Sequence, residues 1–189
     1  MRLISVVPMP VPYESRWPEL FDAERVRLEA ALADWLIGGI HHVGSTAVPG
    51  MPAKPVIDMV AGVRDLSDAD LAEPALVRLG YERAVHRVDA VLFNRTAGGV
   101  HTHHLHLTVP GSELWRERLA FRDALRADAG LVVEYAELKR RLVAEAGGGP
   151  YSAAGKREFV RRILAGAGVE LVDGLYADRD AGSGPPVSR

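Results

Sequence analysis

The sequence predicts an α+β fold, a mixed β-sheet flanked by helices with a further run of helices at the C-terminal end. Two observations predict it. Segments of helical and strand periodicity are segregated along the chain rather than strictly alternating, which argues against a doubly wound sheet. Short apolar stretches bounded by Gly and Pro fill the middle of the chain, and every periodic segment after Ser112 is helical. A chain of 189 residues that is 48% apolar and 25% charged can bury its own core. The expectation is one domain over residues 1–176, with a Gly-, Asp-, Pro- and Ser-rich tail over 177–189 that is disordered.

The elements follow in order. Pro8, Pro10 and Pro12 keep the lead-in extended. A helix starts at Trp17, with Pro18 and Glu19 suiting its first turn. Its apolar face runs from Trp17 through Leu20, Phe21, Leu28 and Leu32 to Trp35, and Gly38-Gly39 ends it. Strands are expected at Ile40–Val43 and Val56–Val63, then a helix from an N-cap at Ser67 to Leu79. Tyr81–Val85, Ala90–Asn94 and His104–Val109 read as three more strands, with Gly98-Gly99 as a turn. Helices follow over 112–125, 131–146 and 152–164.

Composition narrows the function classes. There is no cysteine, so disulfides, thiolate metal sites and thiol nucleophiles are excluded. Neither a secretory leader nor an apolar run long enough to span a membrane is read, and a cytoplasmic location is expected. A net charge of −2 points away from a nucleic-acid partner and toward a small anionic ligand.

The most informative stretch is HHVGSTAVPGMPAKPVIDMVAGV. A strand ends in Gly44-Ser45-Thr46, a Pro/Gly-rich loop follows, and the next strand carries Asp58 in apolar company. Gly44 permits a tight turn whose amides can face an anion, and the Ser45 hydroxyl can donate to a phosphate oxygen. An acid in an apolar strand is costly unless it is paired or holds a cation. The bland alternative is a strand-to-loop turn beside a paired acid.

This arrangement resembles the polymerase-β-like nucleotidyltransferases, in which a Gly-Ser turn precedes a strand bearing two acids one residue apart. More narrowly, HVGSTAVPG, AKPVIDM, THHLHLTV, WRERLAFRDALR, YAELKR and YSAAGKREFV, in that order, resemble the GrpB family from about Val11 to Leu164. The resemblance implies a nucleotidyltransferase-like fold that binds an NTP and divalent metal, with Asp58 as the catalytic, metal-holding acid. Gly44, Ser45 and Thr46 would hold the phosphates, joined by Lys54 and Lys156, which match recurring family positions. It also implies that such domains can act as accessory modules with a protein partner. The chain departs from the pattern at Val60, where the second acid falls. Valine cannot ligate Mg²⁺, and two-metal transfer needs several oxygen ligands. Nucleotidyl transfer to an unknown acceptor and a non-catalytic nucleotide- or phosphate-binding module therefore both stand as readings.

A third reading comes from HTHHLHLTV. If His104–Val109 is a strand, His104 and His106 share a face. With Asp58 they would form an Asp/His metal site favouring Mn²⁺, Fe²⁺ or Zn²⁺ over Mg²⁺. Without metal they would be a hydrogen-bonded polar face. Arg116, Arg118 and Arg122 read as ordinary helix charge. Trp115, Phe121 and Tyr135 read as core.

Overall fold

Helix α1 (Trp17–Ala31) begins as its sequence requires, with proline at the first helical positions and Glu19 in the first turn. The computed structural model describes residues 10–147 and 153–172. Pro8 and the expected tail lie outside them. Val11 pairs with Ala53 in an isolated antiparallel bridge that anchors the extended lead-in.

The glycine pair Gly38-Gly39 corrects the first expectation. The helix stops before it, and Trp35 lies in the turn that follows. Both glycines sit inside β1 (Leu36–Val43) at positive φ, where the register slips between Leu36 and Ile40. The glycines thus form a bulge in the strand rather than a stop for the helix. After the single 3-10 turn at Ser45–Ala47 come β2 (Ile57–Val63) and α2 (Asp68–Arg78). Ser67 occupies the N-cap position of α2 without capping it; its hydroxyl donates to Asp65 at 2.7 Å. Strands β3 (Tyr81–Arg87), β4 (Ala90–Ala97) and β5 (Val100–Thr108) each run longer than their apolar cores suggest. Pairing carries regular backbone beyond the apolar segment.

The sheet order is β1-β2-β5-β4-β3. Only the central β2–β5 pair is parallel. One face of the sheet packs on α1 and α2 through Trp17, Leu28, Met59, Leu76, Phe93 and Leu105, all buried. Glu24 tethers α1 to the far strands. Its carboxylate accepts from Tyr81 Oη at 3.0 Å, Arg27 at 2.7 Å and Arg95 at 2.8 Å.

Helices α3 (Glu113–Ala127), α4 (Ala129–Glu145) and α5 (Arg157–Gly166) form the C-terminal run. Ser112 caps α3, accepting from Trp115 N at 3.2 Å. Leu114 of α3 packs on the sheet's second face with Val43, Val60 and Ala90. Farther along, α3, α4 and α5 close a second small core of Leu125, Tyr135, Phe159 and Ile163 onto Val48 and Met51, in the loop after the Gly-Ser turn. Tyr135 thus belongs to the core, as its spacing predicts. The helices therefore cover one end of the sheet rather than its whole face. Among the described residues no helix is long and apolar enough to cross a membrane.

His42 lies on the α1 face, stacked on Phe21 at 4.8 Å, with Nε2 3.0 Å from Thr46 Oγ1. Burial pushes its pKa down to about 4, so the folded protein holds it neutral at pH 7. A folded-state value below the unfolded one gives stability that is complete above about pH 6.5 and lost as pH falls toward 4. Across that window the native protein should lose up to about 3 kcal/mol more than His42→Gln, measured by urea unfolding of both proteins at several pH values.

Candidate functional site

Gly44 ends β1 with φ 73° and ψ −171°, a backbone conformation that L side chains avoid. A Cβ placed there would stand 2.6 Å from Asp58 Oδ2. The turn therefore lies directly over Asp58, and only glycine allows the approach. It sends the chain into the 3-10 turn that presents Ser45.

Asp58 lies opposite Val43 on β1 and opposite His104 on β5, so all three share the second face of the sheet. His104 Nδ1 is 2.8 Å from Asp58 Oδ1. Burial opposes the charge on Asp58. The hydrogen bond from His104 outweighs it, with the charge of Arg118 adding to its effect, and the carboxyl is held well below the usual carboxylate range. An ionised carboxylate only accepts hydrogen bonds, so Nδ1 of His104 carries the proton and donates it.

His106 lies one step along β5, opposite Val60, and is 2% exposed. The remaining histidines separate. His103 takes the opposite phase to His104, beside Arg95 of β4. His41 lies edge-on to Trp115 at 5.0 Å. His101 does not take the phase that strict alternation predicts, because a register shift between Arg95 and Thr96 breaks it. Its ring meets that of His104 edge-on at 5.4 Å. The Nδ1 of His101 and the Oδ1 of Asn94, the residue opposite His104 on β4, are buried without a hydrogen-bond partner among the described residues.

These residues do not fit a pair of divalent metals. Val60 is wholly buried among Val43, Ala90 and Leu114, so the position of the second acid is part of the core. One oxygen of Asp58 is engaged by His104 and the other is overlaid by Gly44. Among the described residues no three His, Asp or Glu side chains are grouped to hold a metal ion. The expected Asp58, His104 and His106 metal set is corrected accordingly: the three share a face, but His104 is turned onto Asp58 as a hydrogen-bond donor.

The residues expected to hold phosphate are placed apart in role. Thr46 is 1% exposed, and its hydroxyl donates to Val56 O at 3.1 Å while contacting His42. It holds the turn and does not face a ligand. Lys54 is half-buried in the loop before β2. The cation at the turn is Lys139 of α4. Its Nζ lies 3.2 Å from Ser45 Oγ, also donates to Pro52 O, and sits 4.9 Å from the Tyr135 ring centroid. Burial, helped by the neighbouring charge of Lys156, lowers its pKa to about 7. Lys156 thus lies near enough to Lys139 for the two charges to repel. Sequence reasoning passed over Lys139, although it is one of only three lysines and lies within YAELKR. Of the α3 arginines read as helix charge, Arg116 is exposed, while Arg122 is partly buried and engaged. Arg122 donates to His42 O at 3.1 Å and Arg126 to Ala47 O at 2.8 Å, which clamps α3 onto the turn.

A five-stranded mixed sheet with a Gly-Ser turn between its first two strands, an acid on the second and that strand parallel to β5, with helices packed against it, defines an α+β protein. The family model described as "GrpB protein" matches residues 9–166, and the chain belongs to the GrpB family. The glutamate-rich protein GrpB of Alkalihalophilus pseudofirmus is 30% identical over 161 residues, covering 82% of this chain and 92% of that protein. The protein YqkA of Bacillus subtilis is 35% identical over 134 residues, 70% of this chain but only 39% of its own length. The crystal structure of GrpB from Enterococcus faecalis superposes with a TM-score of 0.73 at 26% identity, over 84% of this chain and 96% of that one. A cytoplasmic RNA terminal U-transferase overlaps more loosely, with a TM-score of 0.49 at 14% identity over 71% of this chain and 41% of its own.

Gly44→Ala should cost about 1–3 kcal/mol of stability through strain at positive φ, with the clash on Asp58 adding to it. The measurement is chemical denaturation beside Gly50→Ala, a second positive-φ glycine where a Cβ meets nothing.

Proposed function

We propose that the protein binds the polyphosphate of a nucleoside triphosphate at the Gly44-Ser45 turn, with Ser45, Lys139 and Lys156 as the cradle. The observation that carries this reading is the buried lysine. A cation with 5% of its surface exposed, set against a hydroxyl and close to a second lysine, is costly to fold. Binding an anion offsets that cost. The Ser45 hydroxyl and the backbone of the glycine turn add donors suited to phosphate oxygens. Membership of the GrpB family and the nucleotidyltransferase-like fold support a nucleotide as the anion. Whether the bound nucleotide is then transferred to an acceptor depends on the chemistry at Asp58, and Val60 argues against the two-metal route.

Titration calorimetry with ATP, GTP, CTP and UTP, with and without Mg²⁺, tests the reading. Lys139→Met should weaken nucleotide binding by about 10- to 100-fold, the worth of a charge-assisted hydrogen bond. No measurable binding of any of the four by the native protein would refute the proposal.

The pH dependence follows from Lys139. A bound anion favours the charged amine, so affinity is full below about pH 7 and falls above it as the free site loses its proton. The fall should approach tenfold per pH unit. Lys139→Arg, which stays charged, should flatten it.

A further inference from the structure

The groups around Asp58 suit proton transfer better than metal binding. An ionised Asp58 fixes the tautomer and ring plane of His104 through Nδ1 and leaves Nε2 with its lone pair. The pair is not sealed: the side chain of His104 is 22% exposed and that of Asp58 30% exposed. His101 Nδ1 and Asn94 Oδ1, on residues flanking His104, are buried and lack partners among the described residues. Buried polar atoms without protein partners are commonly satisfied by ordered water. One acceptor beside a fixed imidazole is what holding a water requires. The Gly44 turn, lying over Asp58, brings the polyphosphate end of the cleft to the same place.

We propose that Asp58 and His104 form a positioning–base pair that activates a water for hydrolysis of the bound nucleoside triphosphate. This rests on the cleft being the polyphosphate site. His104 Nε2 takes a proton from the water as its oxygen forms a bond to phosphorus. The phosphoanhydride P–O bond breaks, and its electron pair leaves with the departing phosphate oxygen. The proton on Nε2 then passes to the leaving group or to solvent. In this scheme His104 is the catalytic residue. Asp58 is a positioning residue that acts through it. Asn94 and His101 orient the water.

The test uses the full chain and two readouts in the same Mg²⁺ buffer: calorimetry for binding of each of the four NTPs, and chromatography of the products for turnover. Wild type should convert a bound NTP to a shorter nucleotide and free phosphate or pyrophosphate. His104→Ala should lower kcat by about 100-fold or more, the usual contribution of a general base, with the nucleotide Kd within about twofold of wild type. Added imidazole should restore part of the loss, which a merely structural defect would not show. Asp58→Asn should lower kcat less than His104→Ala does and leave KM little changed. His104→Gln serves as a second variant should the alanine fail to fold. Nucleotide binding without hydrolysis by wild type, or hydrolysis unaffected by either His104 substitution, would overturn the pair while leaving the cradle standing. Absence of binding would overturn the cradle itself, and the pair with it.

Discussion

The close approach of Gly44 to Asp58 is the constraint on which the rest of the site depends. A backbone atom can lie over a carboxylate only where no Cβ intervenes and where φ can be positive. Once the turn is set there, Ser45 emerges toward α4, Thr46 turns inward to hold Val56, and the chain enters a loop that the C-terminal helices then cover. The acid beneath the turn must in turn be compensated locally, because a carboxylate largely removed from water is costly without partners. His104 and Arg118 supply that compensation from two different elements. The geometry of the turn and the electrostatics beneath it are therefore one problem with one solution.

The two halves of the cleft use charge in opposite senses. At the Ser45 end, burial depresses Lys139 and leaves it near neutrality in the absence of an anion. At the Asp58 end, burial is outweighed and the carboxylate stays ionised. The first arrangement would favour a ligand that brings its own negative charge. The second holds a fixed negative charge that orients an imidazole. Desolvation of similar kind has different results because Lys139 lies beside another cation, whereas Asp58 lies among cationic or hydrogen-donating groups. The distinction explains why neither half resembles a site built around two divalent ions, for which closely spaced acids would have to face open solvent or each other.

The helical cap matters as much as the sheet. Tyr135, Phe121 and Phe159 pack at 4.9 to 6.3 Å between ring centroids, and this small aromatic core fixes the position of Lys139 one turn farther along α4. Arg122 and Arg126 fasten α3 to the backbone of the Gly-Ser segment. The cap is also what brings Lys139 to the turn.

Much of the fold was legible in the sequence, because strand periodicity, glycine turns and caps such as Ser112 act over a few residues. The element order, the Gly44-Ser45 turn, the acid on β2 and the shared face of His104 and His106 all follow from local pattern, and the joined motifs suffice to place the chain in the GrpB family. Tertiary structure decided the rest. Gly38-Gly39 became a bulge within β1 because pairing with β2 continues across it. Parallel alignment of β2 with β5 put His104 across from Asp58, a contact between residues 46 positions apart. A shift in the β4–β5 register moved His101 out of phase and against His104. The fold of α4 over the loop, 94 positions from Ser45, chose Lys139 rather than Lys54 as the partner of that hydroxyl. Sequence periodicity sets which way a side chain faces on its own element, but which groups meet across elements is set by register and packing, and those exist only once the chain has closed.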